Sequence, residues 1–216
     1  MRVLENCEPK QVFYYFEEIC KIPHGSRNTK QISDYLVAFA KEHGFDYVQD
    51  EMNNVIIYKP ATPGYENAPT VILQGHMDMV CEKRPDVQHD FEKDGLNLSV
   101  KDGYVTANGT TLGGDDGIAV AYALALLDST DLPHPALEVL ITVDEEIGLL
   151  GAVGLDCSVL TDDSVAFTQM IREKTGLYLS EGAEFGGNGR YFVRLNIACP
   201  RAVLMEGLER LKRALV

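Results

Sequence analysis

The chain has 216 residues, enough for one domain or for a domain and part of a second. An apolar fraction of 45% supports a sizeable core, and a formal charge of −14 argues against nucleic acid or an anionic membrane surface as a main partner. The five cysteines (Cys7, Cys20, Cys81, Cys157 and Cys199) include no C-x-x-C pair, so reduced thiols in a cytoplasmic protein are expected.

In chain order, the first signals are helical. Residues 9–22 place Val12, Phe13, Phe16 and Ile19 on one stripe, and 28–43 repeat the pattern with Ile32, Tyr35, Leu36 and Phe39 before Gly44 closes the helix. There is no basic N-terminal segment leading into an apolar run, and no apolar stretch approaches the roughly 18 residues of a membrane helix, so neither a signal peptide nor a span is predicted. A β-branched run at 55–58 reads as a strand, and 65–68 as a loop after Pro60 and Pro63. Residues 71–73 read as a buried strand running into Gly75 and His76. Segments 96–100 and 104–107 flank Lys101, Asp102 and Gly103, a hairpin signal. A small-residue apolar helix is expected over 117–127 and a second buried strand over 137–143. Strands alternating with helices predict an α/β fold with a mixed β-sheet flanked by helices.

Three segments concentrate chemistry-bearing side chains at the ends of these elements. His76 and Asp78 are two apart, so in extended chain both side chains point the same way. A ligating imidazole needs its second nitrogen held, usually by a carboxylate, although an isolated His-x-Asp also suits a hydrogen-bonded surface pair. Asp115 and Asp116 lie between Gly113–Gly114 and Gly117 at a helix start. Capping accounts for one acid there, but not for two with glycine on both sides. Glu145 and Glu146 follow an apolar strand; neighbouring residues at a strand end face different directions, so one can bind an ion while the other acts as a base, or both can be solvated loop acids.

The three stretches 71–83 (VILQGHMDMVCEK), 108–117 (NGTTLGGDDG) and 142–152 (TVDEEIGLLGA) resemble the motifs of the Xaa-His dipeptidases, also called aminoacyl-histidine or cytosolic nonspecific dipeptidases. These are co-catalytic zinc metallopeptidases, and the resemblance covers roughly residues 9–160. It implies metal-dependent hydrolysis of dipeptides. It makes His76 a metal ligand oriented by Asp78, Asp115 a residue bridging two metals and followed by a cis peptide, Glu145 the general base and Glu146 a ligand of the second metal. Two Zn²⁺ ions act in relatives, with Mn²⁺ or Co²⁺ as substitutes, and relatives dimerise through a smaller lid domain not found in this sequence.

The pattern breaks after the third motif. Relatives place an aspartate on the next strand, usually in an acidic run; here Asp162 and Asp163 precede Ser164 to Met170 without one, and no histidine follows His134. Residues 1–166 hold 11 Lys+Arg against 28 Asp+Glu, whereas 167–216 hold 8 against 5. The expected organisation is therefore the N-terminal part of a metallopeptidase catalytic domain over 1–166 and a divergent basic tail over 167–216, in which Leu204, Leu208, Leu211 and Leu215 suit an amphipathic helix. The resemblance implies a truncated copy with impaired activity. The alternative is an inactive remnant that binds a divalent ion weakly or serves as a non-enzymatic binding module.

Overall fold

The computed structural model describes residues 2–154, 163–185, 189–191, 193–194, 206–207, 209–211 and 213–214. They form two compact units, Met1–Ala152 and Val153–Val216, and the change in charge near Ala166 falls inside the second.

The first unit is a mixed α/β arrangement. Helix α1 (Lys10–Cys20) buries Val12, Tyr15, Phe16, Ile19 and Cys20, and α2 (Lys30–His43) buries Ile32, Leu36, Phe39 and Ala40 before Gly44 caps it. Strands β1 (Asp46–Gln49), β2 (Val55–Lys59) and β3 (Val71–His76) follow, then the hairpin of β4 (Leu98–Lys101) and β5 (Tyr104–Ala107). Helix α3 (Gly114–Asp128) leads to β6 (Leu137–Thr142). Its first acids, Asp115 and Asp116, lie outside helical geometry, so the regular helix begins at Gly117 as its sequence indicates. The main sheet has the order β1-β2-β6-β3. The pairs β1–β2 and β2–β6 are antiparallel and β3–β6 is parallel; the hairpin and α3 together supply the crossover that a parallel pair requires.

Val55, Ile57, Val139 and Ile141 form the packed face of this sheet, in one core with the apolar stripes of α1, α2 and α3. The opposite face carries Val48, Ile56, Leu140 and Ile72, of which Ile56 and Leu140 are half-buried and Val48 and Ile72 exposed. Strand β6 is central, as its apolar run requires. The same reading fails for β3: Val71 and Ile72 are exposed, at 42% and 62%. Their apolarity signalled a buried strand, but among the described residues β3 pairs only with β6 and stands at the sheet's edge, so within the strand just its C-terminal end, Gly75 and His76, is buried. Strand β1 was not read from the sequence, because four residues with one apolar alternation give no periodic signal.

The second unit contains α5 (Ser164–Thr175), which follows the short helix α4 (Leu150–Gly154) in the chain. The Asp163 carboxylate caps α5 by accepting from the N–H groups of Val165 and Ala166 at 3.1 and 3.0 Å. Two short 3₁₀ turns and an antiparallel pair, β7 (Ser180–Glu181) with β8 (Val193–Arg194), complete it. The described residues of 206–214 are helical; Arg210 donates to the Thr175 carbonyl, and Lys174 donates to that of Ala214. Leu204, Leu208, Leu215, Asp162, Cys157 and Cys199 lie outside the described residues; Cys7, Cys20 and Cys81 are free thiols.

Candidate metal centre

The parallel register of β3 and β6 builds the site. His76, the last residue of β3, stands opposite Thr142, the last of β6, and the Met77 N–H extends the pairing by donating to the Thr142 carbonyl. The first and third motifs therefore leave the sheet side by side at its carboxyl edge, the usual place for a site in an open α/β sheet. The second motif reaches the same place because residue 75 is glycine. A Cβ there would stand 2.8 Å from Asp116 Oδ2 and 3.4 Å from Ala119 Cβ, so only a bare backbone lets the start of α3 approach β3 this closely. The His76 N–H donates to Asp116 Oδ2 at 3.4 Å, and the peptide between Asp115 and Asp116 is cis.

His76 sits at the centre. Its Nε2 lies 3.2 Å from Asp115 Oδ1 and 3.8 Å from Glu145 Oε2, and its Nδ1 lies 3.3 Å from Asp78 Oδ1 and 3.0 Å from the Asp78 carbonyl. Donor atoms of His76, Glu145 and Glu146 all fall within 4.8 Å of one another, and Asp115 joins this group through the imidazole. The five residues to which the resemblance gives a role thus meet at one sheet edge, with both glutamates within reach of a shared ion rather than one turned away.

Asp78 is 1% exposed and accepts from three further donors: Ser26 Oγ at 2.8 Å, the Glu145 N–H at 2.9 Å and the Glu146 N–H at 3.3 Å. One buried carboxylate therefore ties the first motif to the third. The acid loop is held from its other side by Asn54, also buried. Its Oδ1 accepts from the Val143 N–H at 3.0 Å and its Nδ2 donates to the Gly151 carbonyl at 2.9 Å. Neither Ser26 nor Asn54 was singled out in the sequence. Both act across long separations and neither belongs to an acid cluster, so no local pattern marks them.

The charges respond to this crowding. Burial opposes protonation of His76, but Asp78, then Asp115 and Glu145, outweigh it and carry its pKa up to about 9. Burial alone would raise Asp78; the bonds from His76, Glu145, Ser26 and Glu146 instead hold it below the usual carboxylate range. Asp116 and Glu146 are raised, chiefly by desolvation and further by neighbouring acids. An imidazole whose Nδ1 is held from behind, with carboxylates gathered on its Nε2 side, is a donor set that suits a divalent cation.

Residues 72–183 match the profile of peptidase family M20/M25/M40, which spans more than half of the chain, and the chain belongs to that family of metal-dependent peptidases. Over 190 residues it is 41% identical to the cytosol non-specific dipeptidase of Escherichia coli K12, a match covering 87% of this chain and 39% of that protein. Among solved structures, the aminoacylhistidine dipeptidase from Vibrio alginolyticus matches with 45% identity and a TM-score of 0.70, over 71% of this chain and 31% of that one. A tripeptidase from Staphylococcus aureus matches with 28% identity and a TM-score of 0.57, over 71% and 41%. The chain thus spans about two fifths or less of the length of these relatives.

Proposed function

We propose that the chain holds a divalent cation, Zn²⁺ by preference with Mn²⁺ or Co²⁺ as substitutes, and that this site serves the hydrolysis of dipeptides, Xaa-His dipeptides among them. The observation that carries the reading is the convergence of His76, Glu145 and Glu146 within 4.8 Å. His76, Asp115 and Glu146 are assigned as ligands and Glu145 as the base. A divalent ion in such a site supplies Lewis acidity toward a carbonyl and a water of lowered pKa. The residues do the rest: Asp78 fixes the imidazole, and Glu145 takes the proton of the attacking water and returns it to the leaving amine. The dipeptide class follows the names of the relatives in Escherichia coli and Vibrio alginolyticus. A cytoplasmic setting follows the first of these names, and no helix among the described residues is long and apolar enough to cross a membrane.

Three ligands suffice for one catalytic zinc. The capping role of Asp163 favours a second reading, in which the chain by itself holds one ion and turns over little or no substrate. Incubation of the chelator-stripped chain with Zn²⁺, Mn²⁺ or Co²⁺ and a dipeptide panel separates the two. Turnover abolished by Glu145→Gln supports the hydrolase; binding abolished by His76→Ala without turnover supports the second reading; metal analysis showing no bound ion refutes both.

A further inference from the structure

Residues that connect α1 to α2 clasp two motifs of the site. The Met79 N–H donates to the His24 carbonyl at 3.1 Å, and the Ser26 N–H donates to the Met79 carbonyl at 3.3 Å. The Arg27 N–H donates to Asp144 Oδ1 at 2.6 Å. These backbone bonds fix the loop whatever side chain stands at residue 26. The Ser26 hydroxyl is then free for one task, donation to Asp78 Oδ2 at 2.8 Å.

That bond completes a count. An ionised carboxylate offers about four lone-pair sites, two on each oxygen. At Asp78 the first oxygen takes the Glu145 N–H and lies 3.3 Å from His76 Nδ1, whose hydrogen bond goes to the Asp78 carbonyl at 3.0 Å, and the second takes the Ser26 hydroxyl and the Glu146 N–H. Three hydrogen bonds and the ion pair with His76 take up these sites, which fixes the carboxylate about its Cβ–Cγ bond, a torsion that is otherwise broad. Its plane sets where Oδ1 meets His76 Nδ1, and hence where Nε2 points.

Resting on the cation-site reading above, we propose that Ser26 is a positioning residue. Its hydroxyl locks the Asp78 carboxylate, and through it the imidazole of His76, in the orientation that binds the cation. Loss of such a supporting hydrogen bond behind a ligating histidine costs on the order of 10-fold in metal affinity. A role confined to holding the loop would lower stability and leave affinity unchanged.

The test uses the full chelator-stripped chain with Co²⁺ as the probe, its affinity taken from competition with a chromogenic chelator and its coordination from the visible absorption band. Ser26→Ala is expected to weaken Co²⁺ binding by about 10-fold and to alter the band. Ser26→Thr, which keeps the hydroxyl, is expected to restore binding to within about twofold, and both variants should keep the circular dichroism of the parent. Parent-like binding by Ser26→Ala, or Ser26→Thr as weak as Ser26→Ala, overturns the proposal while leaving the cation site standing. A parent chain that binds no Co²⁺ overturns both.

Discussion

Asp78→Asn is the most informative single substitution. Asparagine matches the shape of aspartate but has one acceptor oxygen, and its amide places hydrogens against donors. The hydrogen bonds to whichever oxygen becomes the amide nitrogen are lost, and the charge facing His76 disappears. Raising His76 from about 6.5 to about 9 corresponds to about 3 kcal/mol of preference for imidazolium in the folded state, at 1.36 kcal/mol per unit. Removing one partner of a buried pair costs about 3–5 kcal/mol, the figure expected for this variant near pH 6. The sign is fixed by linkage. A folded pKa raised above the unfolded value gives stability that is complete below about pH 6.5 and is lost as pH rises through about 9. Asp78 is shifted downward, so its contribution is complete above its unfolded pKa near 4 and is lost only on acidification. The gap between parent and variant should therefore contract by about 2–3 kcal/mol between pH 6 and pH 10. What remains is the loss of those hydrogen bonds, among the ones from Ser26, Glu145 and Glu146, that would meet the amide nitrogen. Urea unfolding of the cation-free proteins in chelator at both pH values measures this, and an NMR titration of His76 in the variant should show its midpoint fall well below 9. An identical gap at both pH values refutes the assignment of Asp78 as the group that charges His76.

Other consequences follow from close approaches and from proton exchange at the site. A Cβ on Gly151 would stand 2.4 Å from both Asn54 Oδ1 and the Val143 carbonyl oxygen, so Gly151→Ala should cost about 2–4 kcal/mol in urea unfolding and weaken Co²⁺ binding by displacing residues 144–146; unchanged unfolding and binding would refute the role given to Asn54. Gly75→Ala should cost about 1–3 kcal/mol and separate Asp115 from His76, seen as a drop in cation affinity larger than its stability loss implies; parent-like affinity would remove Asp115 from the ligand set. Cation binding at pH 7 should release about one proton, because His76 is protonated beforehand; calorimetry in two buffers of different ionisation enthalpy reads this, and zero release would exclude His76 as the ligand. A cation at 100 times its Kd should stabilise the fold by about 2.7 kcal/mol, reversibly with chelator, and an unmoved melting temperature would refute binding to the native state.

Much of this arrangement is legible in the sequence because its parts are local. The stripes of α1 and α2 and the hairpin turn at Asp102 and Gly103 are short-range patterns, and each acid cluster sits where an element begins or ends. Two kinds of feature escape such reading. Burial of a strand depends on its neighbours, so Val71 and Ile72, apolar enough for a central strand, lie exposed on a strand that is at the sheet's edge among the described residues. Contacts that support the site join residues far apart: Ser26 meets Asp78 across 52 positions and Asn54 meets Gly151 across 97. Polar residues in loops carry no periodicity, and only the folded backbone reveals what they hold.

The matched ends of β3 and β6 have a consequence for folding as well as for chemistry. Successive side chains in a strand alternate between faces, so sliding β3 past β6 by one residue would turn the imidazole of His76 toward α3 and away from the acids. A mis-threaded sheet of that kind would leave the imidazole apart from the acids proposed to share an ion with it. On the proposed reading, capture of a divalent ion would therefore report on strand alignment, and an ion supplied during refolding would select the chains whose two strands have met in step.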